Sequence, residues 1–345
     1  MTRIGLIGLG AMGRNHLRVL LALQGVRLTA VCDQDKDAVE ATTQGSDIAG
    51  YHSWPEMLDR EQLDAVVVAV PTRFHLQVGL GVLEHGLHVL IEKPIATDLK
   101  EGRALVTKAA AMKRLLAVGH VERFNPAVRE LQRRILGGDI GRLFQVQARR
   151  QGPFPARIRD VGVVIDLATH DLDVMSHIAG STVNRVYAET EQRIHTEHED
   201  ILNALLQFQN GTLAVLQVNW LTPTKIRELS VLGERGLLVC NYLTQELTYF
   251  RNADVEPGRH DVPDLQGVSE GDVVPHPVTR AEPLQLELES FVRAVRGEAH
   301  LEVDGEAGLR ALHLALALIQ SARETKVIGQ SELDRLWTSA PPAND

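Results

Sequence analysis

The chain has 345 residues, with 36 lysines and arginines against 45 aspartates and glutamates, for a formal net charge of −9. That length exceeds what one hydrophobic core usually supports, so two domains are expected. The acidic balance argues against a general nucleic-acid surface, no apolar run approaches the ~20 residues needed to span a bilayer, and the two distant cysteines, Cys32 and Cys240, imply neither a disulfide framework nor zinc.

Residues 2 to 8, TRIGLIG, read as a strand, which leaves no room for a signal peptide and makes the cytoplasm the expected location. From there RIGLIGLGAMGRNH (3 to 16) passes through Gly8, Gly10 and Gly13 into a helical pattern ending at Leu23. This GxGxxG spacing sits in the context its physics requires. Gly8 serves the turn, Gly10 lets a pyrophosphate approach the backbone, and Gly13 allows close packing of helix on strand. The phosphates are expected on the helix N-terminus, at Ala11 and Met12, where unbonded N–H groups and the helix dipole favour negative charge. The next strand, LTAVCD, ends in Asp33, 20 residues after Gly13. A carboxylate there accepts hydrogen bonds from ribose hydroxyls and repels a 2′-phosphate, and no arginine immediately follows it, so NAD is expected. An NADP or flavin site of the same fold is the competing reading.

The alternation continues with a helix near 35–43, a short strand at 48–51, a helix opened by Ser53 and Pro55, the strand AVVVAV (65–70), a helix at 75–85, the strand HVLIE (88–92), a helix at 100–112 and LLAVGH (115–120). Strands that are apolar throughout and separated by helices indicate a parallel sheet covered on both faces. Val70, Pro71, Thr72 and His75 follow a strand at its C-terminal end, where such sheets bind ligands, and are assigned to the cofactor cleft. His75 has an ordinary helix-start reading as its alternative. Glu92 and Lys93, stopped by Pro94, place a fixed positive charge at the same edge. Glu92 and Arg123 are assigned to the cofactor as well, with Lys93 and Arg123 shared with the substrate.

After VERFNP (121–126), where Asn125 and Pro126 read as a helix start, a helix to about Leu136 leads to the strand RLFQVQARR (142–150). Its alternation marks an antiparallel strand with one solvated face. The loop that follows carries Arg157 and Arg159, with Arg149 and Arg150 just upstream. Four arginines so close together in an acidic chain are the natural place for a bound pyrophosphate, with surface ion pairs as the alternative. Asp166, His170 and Asp173 then fall at i, i+4 and i+7 of a helical pattern, on one face. A histidine can take the proton of a substrate hydroxyl while a neighbouring carboxylate orients it, and Lys93 can stabilise the developing alkoxide. Thr169 and Asn125 are assigned to substrate contacts. The set offers one histidine and no second nitrogen or sulfur ligand, so no metal is expected.

GLGAMG, Glu92-Lys93-Pro94 and Asp166 with His170 four later together resemble the Gfo/Idh/MocA oxidoreductase family, over nearly the whole chain to about residue 328. Within it, GHVERFNPAV (119–128) and GPFPARIRDVGVVIDLATHDLDVM (152–175) are similar to the UDP-N-acetylglucosamine 3-dehydrogenases, including those that supply an amino sugar for bacterial lipid A. The resemblance implies oxidation of the sugar 3-hydroxyl to a ketone with NAD, a UDP-sugar substrate, a downstream transaminase and a homotetramer. It assigns Lys93 and His170 as the catalytic pair, with Asp166 beside them. A dehydrogenase of a free polyol or aldose, and a cofactor-binding regulator without turnover, remain the other readings.

Beyond residue 184 the alternating segments to Phe250 predict an open antiparallel sheet, 252–281 a long loop, and 283–295 and 305–325 amphipathic helices. The expected organisation is α/β: a Rossmann doubly wound parallel sheet over 1–121, an α+β substrate and oligomerisation domain with a large open, mainly antiparallel sheet over 122–328, and a frayed tail over 329–345.

Overall fold

The computed structural model describes residues 1–155, 161–194, 197–253 and 270–338. The chain divides into two compact units, one of residues 1–124, 282–316 and 334–345, the other of 125–281 and 317–333.

In the first unit the elements run β1 (Thr2–Ile7), α1 (Ala11–Ala22), β2 (Val26–Cys32), α2 (Lys36–Thr43), β3 (Ala49–Tyr51), α3 (Trp54–Arg60), β4 (Ala65–Val68), α4 (His75–Glu84), β5 (His88–Glu92), α5 (Leu99–Met112) and β6 (Leu116–Gly119). The six strands are all parallel, in the order β3-β2-β1-β4-β5-β6. That order reverses between β1 and β4, so the crevice where such sheets bind dinucleotides opens at the C-terminal ends of these two strands. The strands are apolar on both faces because both are covered: every residue of β4 is fully buried.

In the second unit α6 (Pro126–Leu136) is followed by β7 (Leu143–Gln151), a π-helical turn at Val164–Ala168, α7 (Thr169–Ala179), and β8 (Val183–Glu191), β9 (Ile201–Phe208), β10 (Leu213–Asn219), β11 (Ile226–Gly233), β12 (Gly236–Asn241), β13 (Glu246–Asn252) and β14 (Glu270–His276). After α8 (Pro283–Val295) and α9 (Gly305–Glu324), β15 (Ile328–Gly329) pairs with β8, and α10 (Gln330–Thr338) ends the described chain. The nine strands form one sheet, β14-β13-β12-β11-β7-β10-β9-β8-β15. Its pairing is antiparallel except at its centre, where β7 runs parallel to β10, a departure from the purely antiparallel expectation for β7. Alternation gives the sheet one face buried under α6 and α7 and one open face. Trp220 belongs to the core, 2 % exposed and edge-on to Phe154.

Three segments differ from expectation. Leu284, Leu288, Phe291 and Val292 put an apolar stripe on α8 that packs with Val19 and Leu20 of α1, so 283–316 returns to the first unit instead of completing the second. Residues 330–338 form α10 and not a frayed tail, because Trp337 lies under the Arg103 guanidinium at 4.6 Å and against His313 at 5.2 Å. Part of the expected loop at 252–281 is strand β14, and residues 254–269 lie outside the described set.

The second unit is braced by a buried ion pair. Arg150 donates to both oxygens of Asp171, at 2.6 and 3.1 Å, joining β7 to α7. Removing Asp171 takes two charge-assisted hydrogen bonds from a buried guanidinium, so Asp171→Ala should lower unfolding stability by about 3–5 kcal/mol, whereas exchanging both residues for apolar ones of similar volume should cost far less. Urea titrations of the two variants would check this, and equal losses would contradict it.

Candidate functional site

The glycine loop is shaped by backbone contact. Gly8 has φ +98°, and a Cβ on it would lie 2.5 Å from the carbonyl oxygen of Ala69 beyond β4; a Cβ on Gly13 would lie 2.0 Å from the Gly8 carbonyl. Among the described residues, in contrast, no atom lies within 4 Å of where a Cβ on Gly10 would sit. Gly10 caps α1 with no side-chain acceptor, which leaves the first-turn N–H groups of Ala11, Met12 and Gly13 for an anionic ligand. Asp33, at the end of β2, accepts hydrogen bonds from the N–H of Leu9 at 2.5 Å and of Asp35 at 2.9 Å. These fix the carboxylate beside the loop, where its remaining lone pairs suit ribose hydroxyls. An open anion cradle with an oriented acid is the donor set that NAD requires.

Val70, Pro71 and Thr72 form the rim beyond β4, next to Gly8. His75 does not join them as a ligand. It is 1 % exposed, with the carbonyls of Pro94 and Val70 at 2.9 and 3.0 Å from its two ring nitrogens. Burial holds its pKa below the usual imidazole value against the pull of those carbonyls, so the neutral ring donates to only one of them. His75 is a brace between the β4 rim and the Lys93-Pro94 turn.

Glu92 is likewise turned inward. Its carboxylate lies 2.7 Å from His16 Nε2 and accepts from the N–H of Lys93 at 3.2 Å. Burial raises its pKa, but the hydrogen bond and electrostatic attraction of His16, the charge of Lys93 and the Lys93 N–H together outweigh burial and leave it below the usual carboxylate range. The absent side chain of Gly119 makes the room: a Cβ there would sit 3.1 Å from the carboxyl. Lys93, half-buried, leaves the sheet edge directly after this anchored residue. Sequence reasoning missed His16, although Gly13, His16, Leu20 and Leu23 form a buried stripe on one side of α1 and its close.

Arg123, half-buried in the turn after β6, donates to the carbonyl of Glu302 at 3.4 Å within the first unit. Asn125, in the second, is a cap and not a ligand. Its Oδ1 accepts from Ala127 N–H at 3.1 Å, its Nδ2 donates to the Tyr242 carbonyl at 3.1 Å, and the residue is 2 % exposed.

The arginine set separates. Arg150 is consumed by Asp171, while Arg149, one residue away and so on the opposite face of β7, pairs with Glu228 at 2.8 Å. Neither is open to a ligand on the α7 side. Arg157 and Arg159 lie outside the described residues. Beyond them, Val163 and Val164 N–H groups bond Glu199, through its backbone carbonyl at 2.9 Å and its side chain at 3.2 Å. Asp166 then falls in the π-helical turn, and His170 in the first turn of α7. The wider turn shifts Asp166 from ideal i, i+4 register with His170, and such turns are frequent at functional sites. Both are half-buried, whereas Asp173 is 2 % exposed, within the core side of the helix. Thr169 is fully buried and its hydroxyl donates to the Ile165 carbonyl at 3.0 Å, which excludes it as a substrate contact in this arrangement. Among the described residues no group of three His, Cys, Asp or Glu side chains could hold a metal ion, and no helix is long and apolar enough to cross a membrane.

Asp33→Ala should weaken NAD binding by at least about tenfold, as loss of a charged acceptor costs about 1.5–3 kcal/mol. Calorimetric titration would check it, and an unchanged dissociation constant would contradict the ribose contact.

Residues 2–120 match the family described as oxidoreductase family, NAD-binding Rossmann fold, and residues 128–239 match the GFO/IDH/MocA C-terminal domain. UDP-N-acetylglucosamine 3-dehydrogenase of Acidithiobacillus ferrooxidans is 29% identical over 315 residues, 91% of this chain and 95% of that one. Its solved structure superposes with a TM-score of 0.82 at 26% identity, covering 96% of this chain and 99% of the other. The WlbA dehydrogenase of Bordetella pertussis, solved in complex with NADH and UDP-GlcNAcA, gives a TM-score of 0.78 at 25% identity over 95% of this chain and 98% of its own. The scyllo-inositol 2-dehydrogenase (NAD(+)) of Bacillus subtilis is 26% identical over 97% of this chain and 98% of its own. With the glycine loop, the Lys93 turn and the two matched domains in place, the chain belongs to the Gfo/Idh/MocA family of NAD-dependent oxidoreductases.

Proposed function

We propose that the protein oxidises the 3-hydroxyl of UDP-N-acetylglucosamine to the 3-keto sugar. The observation that carries this reading is the similarity to UDP-N-acetylglucosamine 3-dehydrogenase through both matched domains, over 91% of the chain. Lys93 supplies a fixed cation at the sheet edge to stabilise the developing alkoxide. His170 takes the hydroxyl proton, and Asp166 in the adjoining π turn orients and supports the charged ring. Bound NAD supplies the hydride acceptor. Arg123, Arg157 and Arg159 are the proposed partners of the pyrophosphate; Arg149 and Thr169 drop out because their polar groups serve their own unit. The product ketone suits a transaminase as the next enzyme, consistent with an amino-sugar route of the lipid A type.

The open sheet face supports a proposed homotetramer. Cross-strand neighbours on it include Leu205 with Val215, and Leu232 with Leu237 and then Phe250, of which Leu205, Leu232 and Phe250 are exposed. An apolar face of this kind is suited to burial against a second copy.

Incubation with NAD and UDP-N-acetylglucosamine should generate reduced cofactor, read by its absorbance. Lys93→Met and His170→Ala should each cut turnover by about a hundredfold or more while the melting temperature holds; near-wild-type turnover in either removes that residue from the chemistry. The inositol reading, favoured by the similarity to the Bacillus subtilis enzyme, predicts reduction of NAD with scyllo-inositol and none with the UDP-sugar.

A further inference from the structure

A buried acid on α8 has no role in that chemistry. Glu287 lies on the core side of α8, 2 % exposed, and among the described residues none hydrogen-bonds either of its oxygens. An ionised carboxylate in such a place is strongly disfavoured. Burial first, and then the negative charge of Glu92, push its pKa well above the usual range, in the direction of the neutral acid. On α1, His16 is fully buried and uses Nε2 on Glu92, while its Nδ1 has no hydrogen-bond partner among the described residues. With Nε2 carrying the proton, Nδ1 is an acceptor. The helices α1 and α8 pack on each other in one core. One packed layer therefore contains a donor in need of an acceptor and an acceptor in need of a donor, each costly if left unmade.

We propose that Glu287, as a neutral acid, donates to His16 Nδ1 through one bridging water, completing a chain from Glu287 through His16 and the Glu92 carboxylate to the N–H of Lys93. Glu287 and His16 are positioning residues in this scheme. They act through Glu92, whose grip on the first peptide of the Lys93 turn sets where the ammonium leaves the sheet. An apolar side chain of the same volume would fill the space with less electrostatic cost, but would leave His16 Nδ1 bare and its ring free to turn away from Glu92. The catalytic consequence rests on the role given to Lys93 above; the chain itself does not.

Two variants separate a polar role from mere packing. Glu287→Gln keeps shape and a donor; Glu287→Met keeps volume and loses the donor. The infrared spectrum of the wild type at neutral pH should contain a protonated-carboxyl carbonyl band that both variants lack, and its absence from the wild type would overturn the proposal even if Glu287→Met does not fold. The His16 ring-nitrogen resonances should move in Glu287→Met and stay close to wild type in Glu287→Gln; unmoved resonances in the methionine variant would also overturn it. Turnover should fall about tenfold in Glu287→Met at unchanged NADH affinity, and remain within about twofold of wild type in Glu287→Gln. Wild-type turnover in the methionine variant would refute the positioning role. If Lys93→Met itself keeps full turnover, the reading of the site fails while the band and the resonances still judge the chain.

Discussion

A carboxylate at the inner end of a buried strand has to be paired, and the first unit is arranged around that requirement at Glu92. Its partner comes from α1, which can lie close enough only because Gly13 has no side chain to strike the carbonyl of Gly8. Space on the other side comes from Gly119 at the end of β6. The same glycine spacing that opens the helix N-terminus to phosphate thus also brings His16 to the base of the lysine turn. Cofactor cradle and lysine are mechanically one object. The brace at His75, whose ring nitrogens face the carbonyls of Val70 after β4 and Pro94 after β5, adds a second tie to that turn.

The second unit solves the analogous problem with Arg150 and Asp171. Strand alternation sends Arg150 under α7 and Arg149 to the open face, so neighbouring residues of one basic run serve opposite sides of the sheet. Asp171 is the residue after His170, and its bidentate pairing fixes the rotation of the first turn of α7. With Glu199 bonding the N–H groups that precede the π turn, the segment presenting Asp166 and His170 is held from both ends. A buried ion pair contributes little net stability, but it does restrict the orientation of the turn that carries His170.

The parallel sheet was legible because its strands are apolar throughout and its glycine loop stands between a strand and a helix with an acid at the expected distance. The open sheet was legible from period-two alternation. Long-range association was not: nothing local in LQLELESFVRAV says that its apolar stripe packs on α1, and nothing in a short tail says that Trp337 meets Arg103 and His313. At the candidate site, residue type and neighbourhood say nothing of side-chain direction. Glu92, His75, Asn125 and Thr169 all flank the motifs, and all turn inward to satisfy backbone or buried partners. A polar residue beside a motif looks the same in sequence whether it faces ligand or core, and only packing distinguishes the two.

The central claim is that the Lys93 ammonium and the His170 imidazole act on one sugar alcohol beside the nicotinamide. The most direct measurement is a crystal structure of the ternary complex with NADH and UDP-N-acetylglucosamine. The account predicts the sugar 3-hydroxyl within hydrogen-bond reach of both Lys93 Nζ and a ring nitrogen of His170, with C3 facing the nicotinamide. A sugar held with its 3-hydroxyl near only one of these groups, or with the two in different clefts, would contradict it.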